Sequence, residues 1–231
     1  MNQGGYLALR LRTLWLSRGP VGFLRFVLSR VVRNTRDLVF EHDLDADTAG
    51  APEPAVGRFV DVDNRNIDDR ALAPLLDQVL RGEGEIYRPG LRHDDRLFLI
   101  ADDAGRVLHY SFVQFESRYK TLLGEDGAVP MFTRCWTAPA ARGKRLYPST
   151  LRHGSAALAQ DGFRRVLITC DPANTASVRG IEHAGFRLAR RISSMIFLSR
   201  LALQRISGPN GGVRWRLVRL VVATRAVARP D

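Results

Sequence analysis

Hydrophobic positions in the middle of the chain switch between a period near two and a period near 3.6, and their order lays out a series of strands and helices. Gly57–Val62 has the length and composition of a short strand. Ile67 to Leu80 places Leu72, Leu75, Leu76, Val79 and Leu80 on one helical face, with Asp68 and Asp69 predicted in the first turn, where the helix dipole favours acids. Leu97–Ala101 and Val107–Phe115 are rich in aliphatic and aromatic residues, and Asp102-Asp103-Ala104-Gly105 between them predicts a hairpin turn. In the second of these strands Leu108, Tyr110, Phe112 and Gln114 share one face, and His109, Ser111, Val113 and Phe115 the other. A further strand runs from about Val129 to Thr137 and stops at Pro139.

A helix from Leu146 to Gln160 comes next, with Pro148 in its first turn, where a missing N–H costs nothing. Arg165–Cys170 reads as a strand, Asn174–Ala184 as a helix capped by Asn174, and Phe186–Leu198 as a strand, with Gly185 placed to end the helix left-handed. The order β, α, β, β, β, α, β, α, β puts hairpins first and crossovers later. It implies an α/β (α+β) fold in which helices pack on a mixed sheet.

The two ends have a different pattern. Residues 6–33 read as two short amphipathic helices broken at Gly19-Pro20; the second carries Phe23, Leu24, Val27, Leu28 and Val31 at helical spacing, with Arg25 and Arg30 between them. No stretch there reaches the roughly 20 apolar residues that span a bilayer. Such helices suit either an anionic membrane surface or packing against protein, and the pattern leaves both open. Residues 43–57 are rich in Asp, Ala, Gly and Pro and mark a boundary. After a Gly/Pro-rich break at Ser207–Gly212, Val213–Val222 mixes arginine with apolar residues as an edge strand or a short basic helix, with strand preferred. The divisions are thus a basic helical extension at 1–36, a strand and linker at 37–57, a main domain at 58–199 and a basic tail at 200–231.

Charge follows these divisions. The net charge of +11 is carried by the ends: residues 1–36 hold seven arginines and no acid, and residues 200–231 seven arginines and one acid. Between them stand 21 basic and 23 acidic residues, so the domain itself is close to neutral. Basic ends meet phosphate on nucleic acid, anionic lipid or an acidic partner. Aromatics such as Trp15 and Trp215 accompany them, but no nucleic-acid reading motif does, which makes nucleic acid the weakest of the three. The two cysteines, Cys135 and Cys170, form neither a disulfide framework nor a metal-ligand spacing, as expected of a cytoplasmic protein. Cys170, inside an apolar run, reads as a packing residue.

The chemistry concentrates between Thr137 and Phe186. A strand ending at a proline passes through Ala141-Arg142-Gly143-Lys144-Arg145 into a helix. Free N–H groups and the positive dipole at such a helix start hold anions, and Arg142, Lys144 and Arg145 add charge, so a pyrophosphate fits there. Together with the element order, Pro139–Leu151 (PAARGKRLYPSTL) resembles the CoA-binding motif of the GNAT superfamily of acyl-CoA-dependent N-acyltransferases. Asn174-Thr175-Ala176-Ser177, with Gly185-Phe186 closing the helix, is similar to that family's later signature.

The resemblance covers about 97–199. It implies a GNAT-like, mainly antiparallel central sheet with helices on both faces, in which the fourth and fifth strands splay to admit a pantetheine arm. It also implies acetyl-CoA, or another acyl-CoA, as co-substrate. The pyrophosphate would lie on the backbone of Arg142, Gly143, Lys144, Arg145, Leu146 and Tyr147, with Thr137 at the end of the splayed strand and Asn174 near the pantetheine or the thiol leaving group. The chain departs from the motif in having Arg145 for a glycine, Tyr147 for Gly or Ala, and Ile181 where the family carries its usual general acid, a tyrosine.

Amine attack on a thioester needs a proton acceptor. No acid occurs between Val129 and Gln160, so the candidates are Glu116, His109 and Asp171, each with a plain structural alternative as a strand-end or sheet residue. RGKxLYP resembles GNAT enzymes that acylate amino sugars during surface-polysaccharide assembly. The implied function is therefore acyl transfer to the amine of a small molecule or amino sugar at the cytoplasmic membrane face, by a peripheral protein for which a homodimer remains open. A degenerate GNAT fold serving as a membrane or assembly factor is the alternative reading.

Overall fold

The computed structural model describes residues 32–44, 56–115, 117–125, 129–198 and 200–220. Its strands are β1 (Val32–Asp43), β2 (Arg58–Val62), β3 (Arg96–Ala101), β4 (Val107–Gln114), β5 (Met131–Thr137), β6 (Arg165–Cys170), β7 (Arg187–Phe197), β8 (Leu201–Ser207) and β9 (Val213–Arg219). Its α-helices are α1 (Ala73–Glu83), α2 (Arg88–Leu91), α3 (Arg118–Leu123), α4 (Leu146–Gln160) and α5 (Thr175–His183). The strands form one sheet in the order β2-β3-β4-β5-β6-β1-β7-β8-β9. Every pairing is antiparallel except that of β5 with β6. This is the mixed, mainly antiparallel architecture that the element order implies.

Side-chain alternation sends two sets of apolar residues to opposite faces. Leu97, Leu99, Tyr110 and Phe112 pack against Leu75, Leu76, Val79 and Leu80 of α1. On the other face Phe98, Val113, Phe132, Val166 and Ile168 pack against Leu151 and Leu158 of α4 and Ile181 of α5. Leu123 of α3 joins Val39, Met131, Leu167, Ile192 and Ile206 on the α1 side. Helices therefore cover both faces.

Three sequence expectations need correction. The main domain is larger than 58–199, because β1 sits in the middle of the sheet, bonded to β6 and to β7. The tail adds β8 and β9 to the same sheet. Only Leu38–Phe40 of β1 forms a solid apolar run, so a central strand is hidden among charged residues. Secondly, the first helix begins at Ala73 and not at Ile67. Asp63 and Asn66 fold the preceding segment into a turn, Asp69 accepts from the Ala71 N–H, and Pro74 occupies the first turn. Asp68 and Asp69 therefore precede the helix. Thirdly, residues 32–36 are strand and not helix; the rest of the predicted amphipathic extension, residues 1–31, lies outside the described residues.

α4 lies unusually close to the sheet at Gly154, where an added Cβ would stand 2.6 Å from Phe98 Cδ2 and 2.9 Å from Phe132 Cζ. Gly154→Ala is predicted to cost about 1–3 kcal/mol by overpacking. Gly82→Ala, in open space on α1, should be neutral or stabilise by up to about 1 kcal/mol. Urea unfolding of the two variants checks the contrast; equal midpoints would contradict it.

Candidate functional site

Opposite strand ends create the site. β5 meets β6 in register only at Met131–Leu167 and Phe132–Ile168, although both strands continue. Beyond Phe132 they part, as the resemblance implied. A bulge in β5 lies at the same place: Phe112 pairs with Thr133 and Tyr110 with Trp136, leaving Arg134 and Cys135 opposite Ser111. Arg134 takes up the extra residue with φ 51°.

The strand ends in a turn at Pro139–Ala141 and the chain enters α4 through Arg142–Arg145. No side chain caps α4, so the first N–H groups of the helix keep their donor capacity. Arg145, where the family motif has glycine, adopts the left-handed backbone that glycine favours (φ 57°, ψ 22°). The main-chain course of a glycine turn is kept, at a conformational cost of about 1 kcal/mol.

A cavity of about 770 Å³ opens here. Of the predicted cofactor residues, Thr137, Arg142, Gly143, Arg145, Leu146, Tyr147 and Asn174 line it, whereas Lys144 is exposed and is not part of the lining. Asn174 also caps α5: its Oδ1 accepts from the Ser177 N–H at 3.1 Å. Arg152 and Trp136 line the cavity too, and sequence reasoning missed both. Arg152 follows Arg145 by two helical turns, a spacing that would have found it. Among the described residues that line it there is no Asp or Glu, and Arg142, Arg145 and Arg152 make this wall cationic.

The second departure from the motif, Tyr147, is accommodated by α5. A Cβ on Gly180 would lie 2.5 Å from Tyr147 Cδ1, so the ring fills the space that a side chain at 180 would take. Its hydroxyl lies 3.3 Å from Ser177 Oγ, and burial pushes its pKa above the ordinary tyrosine value. Ile181 is fully buried in the core, so that position offers the cavity no proton donor.

The three candidate bases separate. Glu116 lies outside the described residues. Asp171 is exposed beside the loop into α5, where its Oδ1 accepts from the Ala173 N–H at 2.7 Å, and it does not line the cavity. His109 does line it, fully buried, with Nδ1 2.8 Å from Thr137 Oγ1 and Nε2 3.0 Å from Ser111 Oγ. Burial pushes its pKa down to about 3, so the imidazole stays neutral at ordinary pH. The role that fits is positional: it fixes Thr137 at the strand end. Burial also raises the Cys135 thiol to about 11, and burial together with nearby Asp171 does the same for Cys170, so neither is a ready nucleophile.

A carboxylate does lie just beyond the cavity. Trp136 projects from the opposite face of β5 to Thr137 and stacks on Tyr110 with ring centroids 5.4 Å apart. The Tyr110 hydroxyl donates to Glu83 Oε1 at 2.7 Å, and Arg134 donates to Glu83 Oε2 at 3.3 Å. Glu83 escaped sequence reasoning because it ends a helix far from the motif.

No family model matches the chain, and no curated protein does. Solved structures similar to it include an acetyltransferase from the GNAT family of Colwellia psychrerythraea, at 14% identity over 77% of this chain and 62% of that one, with TM-score 0.49. A GCN5-related N-acetyltransferase from Sphaerobacter thermophilus is similar at 16% identity over 74% of this chain and 54% of its own, TM-score 0.46. A tandem GNAT protein from the clavulanic acid biosynthesis pathway is similar at 19% identity over 76% of this chain and 57% of its own, TM-score 0.46. The chain thus spans less than two thirds of the length of each.

The neutral His109 sets a pH dependence. Its folded pKa lies below the ordinary value of 6.5, so the unfolded chain takes up a proton between pH 6.5 and about 3 that the folded chain refuses. Its contribution is full above pH 6.5 and is lost as pH falls, with a slope of at most about 1.4 kcal/mol per pH unit. His109→Asn should flatten stability against pH between 6.5 and 4, as read by chemical unfolding at several pH values. An unchanged slope would contradict this.

Proposed function

We propose that the chain is an acyl-CoA-dependent N-acyltransferase of the GNAT type, with acetyl as the default acyl group. The observation that carries the reading is the combination of a sheet opened between β5 and β6 with an uncapped, arginine-flanked helix start at its mouth. The backbone from Arg142 to Tyr147 takes the pyrophosphate, with Arg142 and Arg145 as charged partners. The pantetheine amides take the backbone groups that the parted strands leave to each other's absence.

The acceptor amine enters from the Trp136 side, where Tyr110 links the stacked indole to the Glu83 carboxylate. The amine nitrogen bonds to the thioester carbonyl carbon, the C–S bond breaks, and the amine proton passes to Glu83 through water. Tyr147, held protonated by burial, donates a hydrogen bond to the departing thiolate. An aromatic shelf beside a carboxylate and Arg134 suits a small amine on a ring, such as an amino sugar, presented at an anionic membrane face.

Calorimetric titration with acetyl-CoA and with a longer acyl-CoA tests this reading. Binding of at least one is expected, weakened about tenfold or more by Arg142→Ala with Arg145→Ala, as loss of charge-assisted bonds requires. Failure of both to bind would end the proposal. Binding without release of the CoA thiol in the presence of any amine or amino sugar would favour the degenerate, non-catalytic alternative, for which the absence of a carboxylate among the described lining residues is the supporting observation.

A further inference from the structure

At the end of the sheet away from α1, the four strands β1, β7, β8 and β9 present a continuous face with an unusual composition. Register partners in antiparallel strands point to the same side. Met195 pairs with Leu203 and Leu203 with Leu217; Arg205 pairs with Trp215; Phe197 pairs with Leu201. These residues therefore form one surface, on the side away from α3. Its inner counterparts, Ile192, Ile196, Ala202, Ile206 and Val218, are buried. The outer ones are open: Leu217 is 69% exposed, Trp215 64%, Val213 48%, Leu201 42% and Met195 41%. Four arginines stand on the same face, Arg36 beside Ser193, Arg191 beside Ser207, Arg205 beside Trp215, and Arg219 beside Leu201. All four are exposed. No Asp or Glu occupies any position of this face from Val32 to Leu38, Arg191 to Phe197, Leu201 to Ser207 or Val213 to Arg219.

We propose that this β1–β7–β8–β9 face docks on an anionic lipid surface. The exposed Trp215, Leu217, Leu201 and Met195 need an apolar medium to leave water, and a patch of this kind marks an interaction site. The arginines need phosphate, and all charges on the face have one sign. A bilayer interface supplies both at once, and tryptophan is suited to that depth. Other occupants fit less well. A second copy of the chain would set arginine against arginine across a two-fold axis. Nucleic acid would satisfy the arginines but leave Leu217, Leu201 and Met195 without partners. Residues 1–31 join the face at Val32, which pairs with Phe197, and they contribute five more arginines and no acid. That segment therefore shares the sign of the face instead of neutralising it, and both ends of the chain favour the same partner. Among the described residues no helix is long and apolar enough to cross a membrane.

Sedimentation of the full chain with vesicles tests the proposal. Vesicles of phosphatidylcholine with one quarter phosphatidylglycerol should carry the protein down at low salt, and pure phosphatidylcholine should not. Trp215→Ser with Leu217→Ser should weaken binding at least tenfold. Arg191→Gln, Arg205→Gln and Arg219→Gln should each weaken it by about fivefold. A second measurement does not depend on those variants folding. In a chain whose only tryptophan is Trp215 (Trp15→Phe, Trp136→Phe), lipids brominated on the acyl chain should quench its fluorescence in anionic vesicles. The proposal is overturned if anionic vesicles do not bind, or if Trp215 is not quenched while the protein is bound. Vesicle binding that survives the face variants but vanishes on removal of residues 1–31 overturns it too. So does a dimer that the face variants dissociate, or capture of an oligonucleotide, in place of vesicles, that the same variants abolish.

Discussion

Two parallel strands that part after two paired residues leave backbone groups facing a gap, and the site of this protein is built on that separation. On the far sides β5 stays bonded to β4, and β6 to β1, so neither strand frays. The bulge at Arg134 turns the upper part of β5 away from β6, and Pro139 then ends the strand. Because buried N–H and C=O groups demand partners, a gap of this kind favours an extended, amide-bearing guest. Under the proposed function, the cationic helix start at one end and the Trp136–Tyr110–Glu83 chain at the other set the direction of an acyl-CoA: phosphate towards Arg142 and Arg145, acyl group towards the aromatic shelf.

The same cavity explains how the chain tolerates its departures from the motif. Arg145 keeps the left-handed turn of a glycine while adding a cation, so the backbone donors behind it remain in place. Tyr147 is matched by Gly180 on the neighbouring helix, a compensation visible only once α4 and α5 are brought side by side. His109 supplies no charge but fixes the hydroxyl of Thr137 where β5 ends. These substitutions alter the walls of the cleft and leave its scaffold intact.

Local chemistry made much of this legible beforehand. The bounds of α4 and β6, the Asn174 cap and the left-handed Gly185 at the end of α5 follow from short-range rules that few long-range contacts override. What depended on distant partners was not legible. β1 straddles the predicted division between a helical extension ending at 36 and a strand and linker starting at 37, because its apolar core is three residues long, yet it fills the centre of the sheet by pairing with strands more than a hundred residues later. The strand preferred for Val213–Val222 is present as β9, but β8 has a half-exposed apolar pattern that composition alone reads as part of a basic tail. Glu83 and Trp136 approach the site only because α1 and β5 fold onto the same face.

The central claim is that the gap between β5 and β6, with the start of α4, receives an acyl-CoA. Hydrogen–deuterium exchange with and without acetyl-CoA reads that claim amide by amide. Slowed exchange confined to Thr133–Thr137 and Gly143–Tyr147, with β8 and β9 unchanged, is expected if acyl-CoA occupies the gap. Exchange that is the same with and without the ligand in those two segments, or protection appearing only elsewhere, would contradict it.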